Sequence, residues 1–185
     1  MGKHCRKTKI SISGVPTSMQ IASVAESYDI PLLSFNKVDI VFDGADQIDS
    51  KGYLIKGGGG ALLRENILAS SAHMIVIMAD RTKFVKQLNK SVPVEIHPFA
   101  KYVVETAIKK MNGKPKVRIL DRGYPFITEN GNIILDCDFG TIKSPLLLAK
   151  KISTIAGVAE VGIFQRRPDI IYKAMTNNRF EKIKV

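Results

Sequence analysis

Residues 54–78 read LIKGGGGALLRENILASSAHMIVIM, and the fold prediction starts from this stretch. Four consecutive glycines, Gly57–Gly60, are followed at once by a segment with helical character, from about Ala61 to Ser71. The stretch ends on Met74–Met78, a continuous apolar run typical of a strand covered on both faces, as in a parallel sheet. A glycine turn, a helix and a buried strand in this order predict part of an open α/β sheet.

The chain before the glycine run adds elements of the same architecture. Apolar runs at 31–35 and 40–42 predict two buried strands, and a further strand is expected around 10–12. Residues 17–28 predict a helix, because apolar side chains recur at the spacing of one helical face behind a capping box that begins at Thr17. The predicted fold class is therefore α/β, with an open, mostly parallel, Rossmann-like sheet.

Downstream of Asn89 the order of elements changes. Six segments read in turn as strand, helix, strand, strand, helix and strand: 92–96, 102–110, 116–120, 133–137, 146–155 and 158–164. This β-α-β-β-α-β order is that of the split ferredoxin-like unit, so residues 92–164 are predicted to form a small second domain. Residues 1–91 and 165–185 are assigned to the α/β domain, because an apolar run at 170–172 predicts a strand that returns to the first sheet.

The composition is that of an ordinary globular chain. Of the 185 residues, 45% are hydrophobic and 24% charged, and no stretch approaches the length of a membrane helix. The N-terminal charges have no apolar run behind them, so we expect neither a signal peptide nor membrane association, but a soluble cytoplasmic protein. Cys5 and Cys137 have no partners at metal-ligand spacing, and the pair His4 and Cys5 is assigned to a mobile terminus. We therefore predict no metal site, and acid–base chemistry should rest on carboxylates and lysines.

The charge of the chain points to an anionic partner. Its 28 basic and 17 acidic residues give a formal net charge of +11, which attracts either nucleic acid or small phosphorylated molecules. The basic residues are spread along the chain, without a dense basic helix, zinc-finger spacing or aromatic ribonucleoprotein motif. Small phosphorylated molecules are therefore the favoured partners, and nucleic-acid binding is the weaker alternative.

The glycine run is the first candidate for chemistry. Gly57, Gly58 and Gly59 leave the backbone free to approach a ligand, and the helix that follows can direct N–H groups at an oxyanion. Lys56 precedes the glycines, whereas the lysine of a Walker loop follows them. Taken alone, a glycine run is more often only a flexible turn.

Charged residues near the predicted strand ends are the second set of candidates. Asp43 and Asp46 follow the strand at 40–42, and ligands of open α/β sheets sit at the carboxyl ends of strands. Glu65 lies about one turn into the helix, and Lys83 comes shortly after the strand at 74–78. Each also has a plainer reading, since aspartates cap turns and a glutamate complements the dipole of a helix start.

The spacing of these groups resembles that of a known family, the type A ribose-5-phosphate isomerases. The resemblance rests on Asp43-Gly44-Ala45-Asp46, Lys56-Gly57-Gly58-Gly59-Gly60 and Arg64-Glu65. Further matches are Val15-Pro16-Thr17-Ser18, Ala79-Asp80 with Lys83, and Asn130-Gly131-Asn132. The resemblance covers nearly the whole chain, and the family's small second domain corresponds to the predicted ferredoxin-like unit.

The resemblance implies the interconversion of ribose 5-phosphate and ribulose 5-phosphate, without metal or organic cofactor. It assigns Glu65 as the base, and Lys56 with the glycine N–H groups to the enediolate charge. Asp43 and Asp46 would serve ring opening and proton traffic on the sugar hydroxyls. The resemblance also places Lys83, Thr17 and Ser18 around the substrate, and it implies a homodimer or homotetramer.

Two departures from the family pattern accompany the resemblance. Family members carry a longer N-terminal stretch with a loop that grips the substrate phosphate, so we expect weaker substrate binding here or a grip supplied by another group. Gln47 stands where the family usually has glutamate. A truncated, non-catalytic relative that binds sugar phosphates therefore remains an alternative. A coenzyme A transferase or a glucosamine-phosphate deaminase on a related sheet is a second alternative.

Overall fold

One of the two larger sheets of the molecule is a mixed four-stranded sheet, built from strands of the N-terminal half and of the C-terminal segment. The computed structural model describes residues 8, 10–176 and 179–185. The strands of the sheet are β1 (Ile40–Asp43), β4 (Met74–Asp80), β9 (Ile170–Ala174) and β10 (Phe180–Lys184). They lie in the order β1-β4-β9-β10, with β1, β4 and β9 parallel and β10 antiparallel to β9. The mostly parallel α/β sheet is confirmed, including the return of the C-terminal segment.

A short hairpin and a helix cover one face of this sheet. The hairpin pairs β2 (Gln47–Ile48) with β3 (Leu54–Ile55), and the glycine run leads from it into α2 (Leu62–Ser71). The buried side chains of this layer are Ile48, Leu54, Ala69, Ile75, Ile77 and Ile171. The hairpin and α2 thereby hold the two ends of the glycine run against the sheet.

The second sheet has the topology that the element order predicts. The elements of this part are β5 (Val92–Ile96), α3 (Lys101–Lys110), β6 (Lys114–Val117), β7 (Ile133–Asp138), α4 (Pro145–Ser153) and β8 (Val158–Val161). The strands lie in the order β6-β7-β5-β8, and every neighbouring pair is antiparallel. The first and third strands of the unit are central, as in a ferredoxin-like fold. The strand expected at 116–120 ends early, at Val117, because Ile119 and Leu120 turn outward and are about half exposed.

The N-cap of helix α1 (Met19–Ser27) lies one residue later than predicted. Ser18, not Thr17, is the N-cap, since its Oγ accepts a hydrogen bond from the Ile21 N–H at 3.2 Å. The helix buries none of its side chains, and Ile21 and Val24 are half exposed. The predicted helix is present, but its apolar face is not packed into a core.

Two strands expected from apolar runs do not form. Residues 10–12 have no strand partner among the described residues, and the 31–35 run makes only a single bridge, between Leu32 and Gly14. Leu33 and Phe35 are 55% and 48% exposed, so the run is not buried either. Apolarity alone does not make a strand where no neighbouring strand offers hydrogen bonds.

Burial of the first sheet is uneven. Ile75, Val76 and Ile77 in the middle of β4 are buried, but Met74 and Met78, on the same face as Val76, are 37% and 49% exposed, so the expected cover on both faces is complete on only one of them. Ile40 and Phe42 of β1, however, are 44% and 46% exposed, and only Val41 between them is buried. The prediction of a buried strand at 40–42 was therefore wrong for one of its two faces.

The hairpin is joined to the second four-stranded sheet directly before the glycine run. The Lys56 N–H donates to the Gly162 carbonyl at 2.8 Å, and the Gly162 N–H donates to the Pro93 carbonyl at 2.7 Å. Division of the chain into domains at 1–91 with 165–185, and 92–164, stays a prediction. No helix in the described part of the chain is long and apolar enough to cross a membrane.

Candidate active site

Three charged side chains from three elements meet beside the glycine run. Asp43 is the last residue of β1, Lys56 follows β3, and Glu65 lies in the first turn of α2. The Lys56 Nζ lies 2.8 Å from an Asp43 carboxylate oxygen and 3.1 Å from Glu65 Oε2. It also donates to the Gly44 carbonyl at 2.9 Å. The structure thus brings together three residues that a hairpin and the glycine run separate in the sequence.

Lys56 is a buried cation. Its side chain is only 4% exposed, and its ammonium lies 5.5 Å from the ring centroid of Phe164. Burial by itself would lower the pKa of Lys56, but the nearby charges of Asp43 and Glu65 outweigh burial, so the pKa is raised above its ordinary value. Lys56 is therefore positively charged at any pH near neutrality.

Glu65 is held in a different electrostatic state from an exposed glutamate. Its side chain is 16% exposed, and burial raises the pKa of its carboxyl; the ammonium of Lys56 opposes this rise without cancelling it. The Lys56 ammonium, 3.1 Å from Oε2, is the only donor group recorded near this oxygen among the described residues. A carboxylate with a raised pKa is suited to accept a proton.

Asp46 contacts the glycine run directly. Its Oδ2 accepts a hydrogen bond from the Gly58 N–H at 2.7 Å, and its Oδ1 lies 4.0 Å from the Lys90 ammonium. A Cβ on Gly58 would come within 2.4 Å of the Asp46 carboxylate, so this approach requires glycine. Asp46 therefore binds the backbone of the turn that directly follows Lys56.

The glycine run forms a tight turn into α2. Gly57 and Gly60 have positive φ angles of 98° and 85°, and the Gly60 N–H donates to the Gly57 carbonyl at 3.1 Å. The Gly59 N–H has no protein acceptor in the part of the chain that the structure describes, and Gly59 is exposed. We expected the N–H groups of Gly57, Gly58 and Gly59 to face an oxyanion. The Gly58 N–H instead donates to Asp46 in this structure.

No contact of Thr17 or Ser18 with Asp43, Lys56 or Glu65 is present among the described residues, but the helix that follows them is linked to α2 through Glu129. The Met19 N–H, which follows Ser18 at the start of α1, donates to Glu129 Oε1 at 2.7 Å. The other oxygen of Glu129 forms an ion pair of 2.7 Å with Arg64, the residue next to Glu65. Glu129 thereby links the start of α1 to Arg64, which directly precedes the candidate base Glu65 in the sequence.

Lys83 remains outside the cluster. It ends a single turn of 3₁₀ helix, Arg81–Lys83, that follows β4 and is capped by Asp80. No hydrogen bond or ion pair within the described residues joins Lys83 to Lys56, Asp43 or Glu65. Its place at the carboxyl end of β4, the neighbour of β1, puts it on the same edge of the sheet.

Gln47 is buried and fully engaged in hydrogen bonds. Its side chain donates to Asn89 at 2.7 Å and accepts from the N–H groups of Asn89 and Lys90 at 2.8 and 3.0 Å. Gln47 therefore holds the loop that carries Lys90 beside Asp46.

Several groups of the site could not be found from the sequence. Gly162 seats the backbone of Lys56, Phe164 lies under its ammonium, and Arg118 binds the carbonyls of the glycine turn. All three come from positions at least sixty residues away and stand in unremarkable surroundings. Among residues 8, 10–176 and 179–185, no three His, Cys, Asp or Glu side chains are grouped so that they could hold a metal ion. His4 and Cys5 lie outside the described residues.

Comparison with known proteins gives consistent relatives. The family model of ribose 5-phosphate isomerase A (phosphoriboisomerase A) matches residues 13–178. Ribose-5-phosphate isomerase A of Methanosarcina acetivorans is 45% identical over 168 residues, which cover 89% of this chain and 72% of the relative. Ribose-5-phosphate isomerase A 1 of Oceanobacillus iheyensis is 43% identical over 89% of this chain and 75% of its own length.

Solved structures agree in fold as well as in sequence. Ribose 5-phosphate isomerase A from Methanocaldococcus jannaschii superposes with a TM-score of 0.93 at 36% identity, covering 100% of this chain and 83% of that one. A D-ribose-5-phosphate isomerase in complex with phospho-erythronic acid also gives a TM-score of 0.93, at 34% identity and the same coverage. Matches of this extent in sequence and fold show that the chain belongs to the ribose 5-phosphate isomerase A family, whose members are aldose–ketose isomerases of pentose phosphate metabolism.

Proposed function

We propose that this chain interconverts ribose 5-phosphate and ribulose 5-phosphate through an enediolate, with Glu65 as the acid–base group. The observation that carries the proposal is the buried ammonium of Lys56, held between the carboxylates of Asp43 and Glu65. An aldose–ketose isomerisation needs a base and a fixed positive charge next to each other, and this cluster supplies both.

Glu65 takes the proton from C2 of the open-chain aldose and returns it to C1. The raised pKa of its carboxyl supports this role, because a base whose pKa lies nearer to neutrality returns the proton more readily. General-base assistance of this kind contributes about 10²–10⁴-fold to the rate.

The enediolate places negative charge on the oxygens of C1 and C2. Lys56 stabilises this charge, together with N–H groups of the Gly57–Gly59 turn, of which that of Gly59 has no acceptor in the described structure. Since the pKa of Lys56 is raised, its ammonium stays protonated throughout the cycle and does not compete for the proton. It also remains a partner for Glu65 when that carboxyl is ionised.

The remaining site residues serve the sugar. Asp43 and Asp46 assist ring opening and proton exchange on the hydroxyl groups, and Asp43 additionally holds Lys56 in place. Thr17, Ser18 and Lys83 bind sugar or phosphate oxygens, supported by the anchoring of α1 beside Arg64 and by the position of Lys83 at the end of β4.

We also propose that the chain works in the cytoplasm as a homodimer or homotetramer and binds neither nucleic acid nor membranes. The many half-exposed apolar side chains support self-association, and the free thiol of Cys137 suits a reducing compartment. Sedimentation of the purified chain tests the oligomeric state, and the activity of a cytosolic fraction tests the location.

The replacement Glu65→Gln tests the proposed mechanism. Conversion of ribose 5-phosphate to ribulose 5-phosphate should fall by at least about 10²-fold, because the amide cannot accept the C2 proton, while the melting temperature stays close to that of the parent chain. Glu181→Gln, on the edge strand β10, is the matched control and should keep full turnover.

Three results decide between the alternatives. Undiminished turnover by the Glu65→Gln chain would remove the assignment of the base. A parent chain that binds ribose 5-phosphate without converting it would instead support the non-catalytic sugar-phosphate binder. Turnover of an acyl-coenzyme A or an amino sugar phosphate in place of ribose 5-phosphate would favour a transferase or a deaminase.

A further inference from the structure

Arg118, which directly follows strand β6 of the second sheet, contacts the glycine turn on the side of its carbonyl groups. It follows β6, and its Nη1 donates to the carbonyls of Gly57 and Gly58 at 2.7 and 3.1 Å. Its Nε and Nη2 donate to the two carboxylate oxygens of Asp136 on β7, at 2.9 and 2.5 Å. One guanidinium thus binds two successive carbonyls of the turn and a carboxylate of its own sheet.

The contact fixes which way two peptide groups point. In a trans peptide the carbonyl and the following N–H are directed to opposite sides. Because the carbonyls of Gly57 and Gly58 face Arg118, the N–H groups of Gly58 and Gly59 face away from it. The Gly58 N–H accordingly reaches Asp46, and the Gly59 N–H points out of the turn without a protein acceptor among the described residues.

Glycine itself does not impose this orientation. A glycine adopts positive and negative φ with similar ease, so a run of four offers several arrangements of low energy in which these peptides are turned over. Each such arrangement would direct a carbonyl, rather than an N–H, toward the side of the turn on which Asp46 lies. An external donor that binds both carbonyls selects the one arrangement with both N–H groups on the Asp46 side.

Arg118 is well placed to make this selection. Its side chain is 15% exposed, and Asp136, which neutralises it, is 31% exposed, so both ends of the interaction are largely removed from water. The bidentate pair with Asp136 leaves Nη1 free to bind the turn, and the planar guanidinium holds that direction rigidly. Hydrogen bonds to the carbonyls also polarise the same peptides and strengthen their N–H groups as donors.

We propose that Arg118, held in place by Asp136, is a positioning residue that fixes the two peptides between Gly57 and Gly59, so that the Gly58 N–H binds Asp46 and the Gly59 N–H faces the enediolate. The role rests on the proposed isomerase function. A lysine would lose the second anchor to Asp136, and an alanine would free the turn altogether. Loss of orientation affects the enediolate more than the bound aldose, since only the enediolate carries negative charge on the oxygens that the oriented N–H groups bind.

The experiment compares Arg118→Ala and Arg118→Lys with Arg122→Ala, an exposed arginine of the same loop. We expect kcat of Arg118→Ala to fall by about 10²-fold, the size of effect seen when an oxyanion donor is lost, with a change in KM below about fivefold. Arg118→Lys should lie between the parent and the alanine variant, and guanidinium ion added to Arg118→Ala should restore part of kcat. Arg122→Ala should match the parent.

A binding measurement separates this role from a merely structural one. Phospho-erythronic acid carries a carboxylate, which presents negative charge as the enediolate does. Arg118→Ala should bind this acid at least tenfold more weakly than the parent, while its melting temperature shows that the chain is folded. If the alanine variant does not fold, the affinity for phospho-erythronic acid is compared between the parent and the variants Arg118→Lys and Asp136→Asn, both of which should bind the acid more weakly than the parent.

The two proposals fail in different ways. Unchanged kcat and unchanged affinity for phospho-erythronic acid in the Arg118 variants would overturn the positioning role. A lower kcat that guanidinium does not restore, with parent-like affinity for the acid, would also overturn it. A parent chain without turnover would refute the proposed function, and the positioning role would then be decided by the affinity for the acid alone.

Discussion

At the scale of single residues, the site is governed by one buried cation. The ammonium of Lys56 lies 2.8 Å from Asp43 and 3.1 Å from Glu65 and is almost inaccessible to water. Burial of Glu65 acts against ionisation, whereas Lys56 acts for it. The balance leaves a carboxyl whose pKa lies above its ordinary value, next to a lysine that stays charged.

The acid limb of the pH–rate profile should therefore reflect Glu65. As pH falls through the raised pKa of Glu65, the base becomes protonated and kcat decreases. The midpoint of this decrease should lie at a pH above 4.5, the ordinary pKa of a glutamate. Replacing Asp43 by Asn removes a negative charge that raises this pKa, and the limb should move to lower pH.

The comparison of the parent with Asp43→Asn contains its own control. The phosphate of the substrate titrates near pH 6 in both enzymes, as phosphate monoesters do, and cannot cause a difference between them. The measurement is kcat at saturating ribose 5-phosphate from about pH 4 to 8. A limb that stays in place, or moves to higher pH, would contradict the electrostatic account of Glu65.

At the scale of elements, the turn between β3 and α2 determines the geometry of the candidate active site. Gly57 and Gly60 require positive φ, and a Cβ on Gly60 would lie within 2.4 Å of the Phe126 ring. Gly59, by contrast, has a φ outside that region and open space around it. The four glycines therefore do different work, although the sequence shows them as one uniform run.

Gly60→Ala should destabilise the chain, whereas Gly59→Ala should not. The left-handed backbone of residue 60 alone costs an alanine about 1–2 kcal/mol, and displacement of Phe126 adds to this. The free energy of unfolding, measured in urea for both variants, checks the difference. Equal stability of the two variants would show that the turn adopts another conformation in solution.

At the scale of the whole molecule, the first sheet carries an apolar face that the described residues leave open. Ile40 and Phe42 of β1 lie beside Met74 and Val76 of β4, and Met78 follows on the same face. Ile40, Phe42, Met74 and Met78 are 37–49% exposed, whereas Val76 in their midst is buried. Contiguous exposed apolar side chains on a sheet mark a surface that binds other apolar groups.

Phe42→Ser should reduce both the binding of a hydrophobic dye and the self-association of the chain. The physical reason is that Phe42 is 46% exposed on this apolar face, beside Val76, so its replacement removes a large part of the exposed apolar area. Phe99→Ser is the control, because Phe99 is even more exposed but belongs to a different unit, at a single turn of 3₁₀ helix. Dye fluorescence and sedimentation would count against the idea if the two variants behaved alike.

Much of the fold was accessible from the sequence for local reasons. The run Met74–Met78 became β4 because continuous apolarity fits a central strand, and the order of elements after Asn89 gave the ferredoxin-like topology. The apolar run at 31–35 failed because a strand needs a neighbour to accept its hydrogen bonds, and that neighbour cannot be read from the run itself. The cap of α1 was misplaced by one residue, since Thr17 and Ser18 are both able to cap.

The sequence by itself determined which groups are available for chemistry: Lys56 with its glycines, the aspartates after β1, and Glu65 in the first turn of α2. Their spacing was sufficient to identify the family, because it follows from elements that are short and contiguous. Only the tertiary structure decided that Lys56 is buried between two carboxylates and that the turn is clamped by Arg118 and seated on Gly162. Those contacts join positions far apart in the chain, and their strength depends on burial and on peptide orientation. Both properties arise only when the two sheets pack around the glycine turn.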